Sequence, residues 1–199
     1  TVTAILEGGE LPVILGGEHS VTIGAVNAAA DRFEDLTVLQ IDAHADTREH
    51  YEGSTHNHAC VMARARERCS IVQVGIRAVD EAEVPGLDDR RVFWAHDIVP
   101  AGDDSWMDGV VELLTRNVYV TIDLDAFDPS LIPATGTPEP GGLEWYPVNR
   151  LLRRVARTSR VVGFDVVELL PAEGHHASAF AAAKLVYRFL AEIAAARDA

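Results

Sequence analysis

Three short stretches of the chain concentrate side chains that bind cations or move protons: Glu18-His19 after Gly16-Gly17, Asp42-x-His44-x-Asp46, and Asp123-x-Asp125. Each follows an apolar run, at 12–15, 37–41 and 118–122, so each stands at the C-terminal end of an expected strand. Side chains at i, i+2 and i+4 of an extended segment share one face, which would aim Asp42, His44 and Asp46 at one point and Asp123 with Asp125 at another. Four carboxylates gathered at a buried sheet edge repel one another and lose hydration, so a cation is their natural compensation. Four Asp and two His without a thiolate favour a hard divalent ion of octahedral habit, Mn²⁺ first, with Co²⁺, Fe²⁺ or Ni²⁺ as substitutes. Six ligands exceed one tetrahedral site and suit two ions bridged by shared carboxylates and a water, which becomes hydroxide near neutral pH. That is the equipment of a hydrolase. A lone Asp-x-His-x-Asp is equally a solvated turn; the matching positions of the other two stretches select the metal reading.

The elements that must position these residues follow from periodicity. Strands are expected at 12–15, 37–41, 70–74, 91–94, 118–122 and 161–167, and helices at 20–32, 59–68, 104–116, 147–158 and 176–196. In the last helix Phe180, Ala183, Tyr187, Leu190 and Ala194 recur at the spacing of one amphipathic face. The strands are continuous apolar runs, the pattern of a parallel sheet covered by helices on both faces, and the class is therefore α/β with three α/β/α layers. In such a sheet ligands bind at the C-terminal strand ends, where distant segments converge. The segment 127–146 is rich in Pro, Gly and Thr, and a loop of that length in a folded chain is usually functional.

Composition narrows the partners. The chain has 199 residues with 31 Asp+Glu against 17 Lys+Arg, a formal net charge of -14. That balance argues against nonspecific binding to nucleic acid or anionic membranes and favours a cationic ligand. A chain of this length buries roughly 70% of its extended surface in one core, so residues 1–199 are expected to form a single catalytic domain without a staple. Cys60 and Cys69 make neither a CxxC pair nor a disulfide framework, which points to a reduced, cytoplasmic protein. No apolar run is long enough to span a bilayer, and the start carries no signal-peptide pattern. The first residue is Thr1, and the spacing of 1–7 resembles the last turns of a helix, so the expectation is an N-terminally short chain.

Five ordered motifs together resemble the ureohydrolase (arginase/agmatinase) family: Gly-Gly-Glu-His-Ser at 16–20, Asp-Ala-His-Ala-Asp at 42–46, Asp-Leu-Asp-Ala-Phe-Asp-Pro at 123–129, Pro-Ala-Thr-Gly-Thr-Pro-Glu-Pro-Gly-Gly-Leu at 133–143 and Asp-Val-Val-Glu-Leu-Leu-Pro at 165–171. The resemblance runs from the start of the chain to its last helix. It implies an arginase-like fold and an enzyme with two Mn²⁺ per chain that cleaves a guanidino compound into an amine and urea. It implies His19, Asp42, Asp46 and Asp123 on one ion and Asp42, His44, Asp123 and Asp125 on the other, with Asp42 and Asp123 bridging. It assigns Glu168 to the guanidinium, a bidentate pairing its carboxylate suits, and a proton-shuttling role to His58. Asp46 is the expected donor to the departing amine. His56 and His58 stand two residues apart and spacing alone does not separate them; the resemblance of His-Ala-Cys-Val-Met to agmatinases selects His58 as the shuttle. Thr137 matches a position near the guanidinium and Thr135 shares its loop, although a turn-stabilising hydroxyl reads nearly as well for both. His50, His96, His175 and His176 are expected on the surface or at caps, and Cys60 as a small apolar residue at a helix start. Homo-oligomers, trimers or hexamers, are what the resemblance implies for assembly.

Within the family the far end of the substrate differs. Arginases carry an Asn two residues after Asp-x-His-x-Asp and a Ser-Gly-Asn stretch before the shuttle His; here Arg48 and Ser54-Thr55-His56-Asn57 stand in those places. Pro-Glu-Pro-Gly-Gly at 138–142 resembles agmatinase, so agmatine, yielding putrescine in polyamine biosynthesis, is the expected substrate. Guanidinobutyrase, guanidinopropionase, formimidoylglutamase and arginase are the alternatives. A second class is a metal-binding subunit without turnover, because the family's N-terminal pocket segment is absent from these residues while all six ligands are present. A deacetylase-like hydrolase would call for one Zn²⁺ with a His-His dyad and a Tyr, which these motifs do not contain.

Overall fold

The computed structural model describes residues 1–171, 173 and 176–197. The apolar runs form β1 (Val13–Leu15), β2 (Leu36–Ile41), β3 (Ser70–Ile76), β4 (Val92–Trp94), β5 (Asn117–Asp123) and β6 (Arg160–Val167). They pair in the order β1-β6-β5-β2-β3-β4, every neighbour parallel. The helices are α1 (Val2–Glu7), α2 (Val21–Arg32), α3 (Val61–Ala65), α4 (Ala95–Ala101), α5 (Trp106–Leu113), α6 (Trp145–Thr158) and α7 (Ala177–Arg197). Alternate residues of β2, β3, β5 and β6 enter two main cores, while Ile76 and Val92 join a small third one with Ala45. One joins Leu39, Ile41, Val120 and Phe164 to Met107, Leu151 and Phe189 of α5, α6 and α7. The other joins Val38, Tyr119 and Val162 to Leu6, Val26 and Met62 of α1, α2 and α3. Both sheet faces are thus covered, as the unbroken apolar runs require.

The strand order places the ligand-bearing ends together. From β2 the chain proceeds to β3 on one side, and from β5 to β6 on the other, so the adjacent pair β2 and β5 is the topological switch point where an open parallel sheet has its crevice. Their register pairs Ile41 with Ile122, leaving Asp42 and Asp123 level, one step beyond. On the other side of β2, Gly75, at φ +94° beside a register shift in β3, lets β3 approach Asp42 closely, because a Cβ there would stand 3.0 Å from the Asp42 carbonyl oxygen.

Several expected boundaries differ. The helix expected over 59–68 is a 3-10 turn at His58–Cys60 followed by the short α3, and that expected over 104–116 is confined to α5. Helix α4 was not legible as a helix because Pro100 lies inside it; Gly102, left-handed at φ +69°, closes it and is its sequence signal. In α7 the stripe of Phe180, Ala183, Tyr187, Leu190 and Ala194 is not the one against the sheet. Ser178, Ala182, Leu185, Phe189 and Ile193 are buried instead, whereas Phe180 and Tyr187 are 72% and 69% exposed. Apolar residues on most sides of this helix leave periodicity undecided between two stripes, and the ring of Phe189, 4.9 Å from that of Phe164, shows which one the sheet selects. Among the described residues no helix is long and apolar enough to cross a membrane.

Candidate metal centre

Asp42 leaves β2 and turns its two carboxylate oxygens in different directions. Oδ2 lies 3.3 Å from His19 Nδ1, and Oδ1 3.7 Å from His44 Nδ1. Around the first histidine stand Asp46 Oδ2 at 2.9 Å and Asp123 Oδ2 at 3.4 Å; around the second, Asp125 Oδ2 at 3.1 Å. Two groups of ligand atoms result, His19-Asp42-Asp123 and Asp42-His44-Asp125, each within 4.8 Å and joined through Asp42. Asp123 gives its other oxygen, Oδ1, to the backbone N–H of Asp125 at 2.9 Å, which sets the pitch of the 3-10 turn Leu124–Ala126 that carries Asp125.

Simple alternation does not deliver all of these residues. Asp46 reaches the cluster because its backbone is left-handed, at φ +54°, and its carbonyl is held by the N–H groups of Met62 and Ala63 at 2.9 and 3.2 Å. Glu168, the first residue beyond β6, is left-handed too, at φ +63°. Such a conformation costs a non-glycine residue about 1–3 kcal/mol and persists where the surroundings over-determine it, characteristically at functional sites. Its Oε1 accepts the His19 backbone N–H at 2.8 Å, and its own N–H donates to the Gly17 carbonyl at 2.7 Å. The two loops therefore fix one another.

The donor set fits a cation. His19 Nδ1 is buried, lies within 3.4 Å of three carboxylates and has no well-aligned hydrogen bond to any of them. An unpartnered nitrogen aimed among carboxylate oxygens is the arrangement of a metal ligand. Without a cation the cluster must hold protons. Burial and the charge of Asp42 push Asp46 up to about 7, against the pull of His19. Burial, with Asp42 and Asp125, holds Asp123 well above the usual carboxylate range. Burial opposes protonation of His44, but hydrogen bonding to Asp125 and Asp42 carries it up to about 11. A metal must displace these protons, so affinity rises with pH wherever the metal-free cluster is still protonated. Between pH 6 and 8 the metal association constant is expected to increase by at least about tenfold, with proton release measurable by titration calorimetry in buffers of different ionisation enthalpy. A pH-independent constant would show that the ligands are already bare.

A cavity of about 410 Å³ opens above the cluster. Its wall includes six carboxylates, Glu18, Asp46, Glu83, Asp123, Asp125 and Glu168, against one arginine, Arg48. His58 lines it, 48% exposed, with Nδ1 3.7 Å from Glu18 Oε2 and its ring edge-on to Tyr51. His56 is exposed, does not line the cavity, and has its Nδ1 2.9 Å from the Thr55 hydroxyl, so the fold distinguishes two histidines that spacing could not. Thr137 lines the cavity and donates to Asp125 Oδ2 at 3.1 Å; Thr135, in the same loop, is buried and is not in the wall. His50, His96 and His176 are exposed, and His175 lies outside the described residues. Cys60 is fully buried at the start of α3.

Other polar residues act behind the ligands. Gln40 Nε2 donates to Asp42 Oδ2 at 2.7 Å, and Gln73 Nε2 to Gln40 Oε1 at 2.6 Å. The Arg77 guanidinium ties the carbonyl of Asp125, at 2.7 Å, to that of Glu139, at 2.8 Å, joining the ligand turn to the Pro/Gly-rich loop. Their signal in the sequence was a polar residue inside an apolar strand run, as at Gln40, Thr121 and Asp165.

The parallel order and the ligand cluster at its switch point define the class, an arginase-like α/β/α protein. The agmatine ureohydrolase of Thermoplasma volcanium superposes with a TM-score of 0.86 at 38% identity, over 96% of this chain and 65% of that one. The arginase family model matches residues 1–191, and the chain belongs to the arginase family. It is 41% identical to the N(1)-aminopropylagmatine ureohydrolase of Synechocystis sp., over 95% of this chain and 63% of the relative. To the agmatinase of Pyrococcus horikoshii it is 38% identical, over 89% and 61%. The chain thus spans less than two thirds of the length of these relatives.

Proposed function

We propose that this chain carries the binuclear manganese site of a ureohydrolase whose substrate is a guanidino compound with a cationic tail, agmatine first, released as putrescine and urea. The observation that supports it above others is Asp42 offering one oxygen to each histidine-centred group beneath a carboxylate-lined cavity. His19, Asp42 and Asp123 with Asp46 beside them would hold one ion and Asp42, His44 and Asp125 the other, with Asp123 shared as the family resemblance implies; the all-N/O donor set suits Mn²⁺. Two such ions supply a water nucleophile at neutral pH and spare the protein a strong base.

The chain's own groups do the rest. Glu168 keeps Oε1 on the His19 N–H, so Oε2 is the oxygen left for a guanidinium, which it orients toward the cluster. Glu18, the wall carboxylate assigned neither to metal nor to the guanidinium and not facing Arg48, compensates a second positive charge on the tail. Asp46, in the cavity wall beside His19, would take the proton that the nucleophile releases and pass it to the departing amine. His58, half-exposed at the mouth, exchanges protons with solvent.

The names of several relatives favour a second reading, N(1)-aminopropylagmatine, whose longer tail would meet the acidic rim at Glu18. Mn²⁺-loaded protein should release urea from agmatine or its aminopropyl derivative faster than from arginine or guanidinobutyrate, and no formamide from formimidoylglutamate. A preference for an anionic or zwitterionic tail overturns the proposal. Two bound ions with no turnover on any of these would leave a metal-binding subunit.

A further inference from the structure

Behind His19, on the side away from the other ligands, lies a closed chain of hydroxyls ending on a carboxylate. His19 Nε2 is 2.8 Å from Thr121 Oγ1, and Thr121 Oγ1 is 2.5 Å from Asp165 Oδ1. The other oxygen, Asp165 Oδ2, receives the Thr22 and Tyr119 hydroxyls, both at 2.8 Å. Thr22, Tyr119, Thr121 and Asp165 are all 0% exposed, and among the described residues no Lys, Arg or His forms an ion pair with Asp165. A carboxylate in the middle of a parallel sheet, with no cation beside it, is costly, and an apolar residue there would pack without that cost.

Proton counting shows what the carboxylate does. A threonine hydroxyl has one proton to donate. The Tyr119 hydroxyl has no other hydrogen bond among the described residues, and the only other polar contact of the Thr22 hydroxyl among them is a long 3.5 Å approach to Thr121, so both donate to Oδ2. Thr121 donates its proton to Oδ1 and must then accept from His19, which places hydrogen on Nε2 and leaves Nδ1 with its lone pair toward Asp42, Asp46 and Asp123. We propose that Asp165, held by Tyr119 and Thr22, is a positioning residue that acts through Thr121 to set the His19 tautomer, and with it the nitrogen offered to the metal. The inference rests on the proposed reading of His19 as a ligand. It concerns a layer of residues that touches neither metal nor substrate.

Asp165→Asn provides a sharp test. Two hydroxyls donate into the Oδ2 position, so the amide oxygen must occupy it and the NH₂ must replace Oδ1. That NH₂ donates to Thr121, whose own proton then goes to His19 Nε2, and the direction of the chain is reversed. Mn²⁺ affinity, measured by titration calorimetry, is expected to fall about 10–100-fold, the usual effect of losing a partner behind a metal-bound histidine. Thr121→Val should fall similarly, and Thr121→Ser should restore binding to within about threefold. With ¹¹³Cd²⁺ as the probe, ¹⁵N spectra of the wild type should show Nε2–H and metal coupling at Nδ1 of His19, and both should be lost in Asp165→Asn. If Asp165→Asn does not fold, the Thr121 pair carries the same comparison, and a merely structural role would not move the His19 tautomer. Wild type that takes metal, beside variants with the same affinity and the same His19 signature, overturns the inference alone. Wild type that takes neither Mn²⁺ nor Cd²⁺ overturns the metal reading beneath it as well.

Discussion

Asp42→Asn is expected to reduce bound Mn²⁺ from two ions per chain to at most one and to lower kcat/KM by at least about 10³-fold, or about 4 kcal/mol. The direction of the damage follows from the glutamines behind it. Gln73 donates to Gln40 Oε1 and fixes that amide, so Gln40 Nε2 continues to point at the Oδ2 position of residue 42. The asparagine oxygen must face Gln40, and its NH₂ takes the place of Oδ1. There it opposes the His44 backbone N–H, which donates to Oδ1 at 2.7 Å. The oxygen on the His44 side is therefore the one lost. Removing one of four crowded carboxylates also relieves repulsion, so the metal-free protein should unfold at the same temperature as wild type or higher. The wild type should gain about 5–10 °C from Mn²⁺ at a hundredfold excess over Kd, from about 2.7 kcal/mol of linkage, and the variant much less. Two ions per chain in the variant, by metal analysis, would remove Asp42 from the site.

Glu168→Gln should separate binding of the guanidinium from binding of metal. Glutamine can keep its oxygen on the His19 N–H and turn its NH₂ to the cavity, where the carboxylate Oε2 stood. Donor then meets donor at the guanidinium. A charged pair broken from one side in a partly buried site costs about 3–4 kcal/mol, so kcat/KM on agmatine should fall about 10²–10³-fold while metal content and its pH dependence stay as in wild type. A loss below tenfold would mean that another group orients the substrate. Joint loss of metal and activity would show instead that Glu168 serves mainly to brace the His19 loop.

The residues of the candidate site were legible because their types and positions are local properties. Asp42, His44, Asp46, Asp123 and Asp125 follow apolar runs that can only be strands, and Glu18-His19 follows another. The roles of Gln40, Gln73, Arg77, Tyr119 and Asp165 were not, since each depends on a partner more than 30 residues away. His56 and His58 stand two residues apart and spacing alone does not separate them; the structure puts His58 in the cavity wall, with the Tyr51 ring and Glu18 around it. Helix α7 shows the same limit in a structural element, where two stripes had comparable apolar character.

The class of fold, the candidate ligand side chains and the strand ends on which they stand are all local in the sequence, because side-chain period, apolar content and turn chemistry are set within a few residues. The tertiary structure decided how those ends meet. Pairing β2 with β5 brings Asp42 level with Asp123, a left-handed backbone at Asp46 and at Glu168 turns two carboxylates inward, and the buried hydroxyls above Asp165 orient His19. Each of these needs contacts between segments far apart in the chain, and no local periodicity carries them.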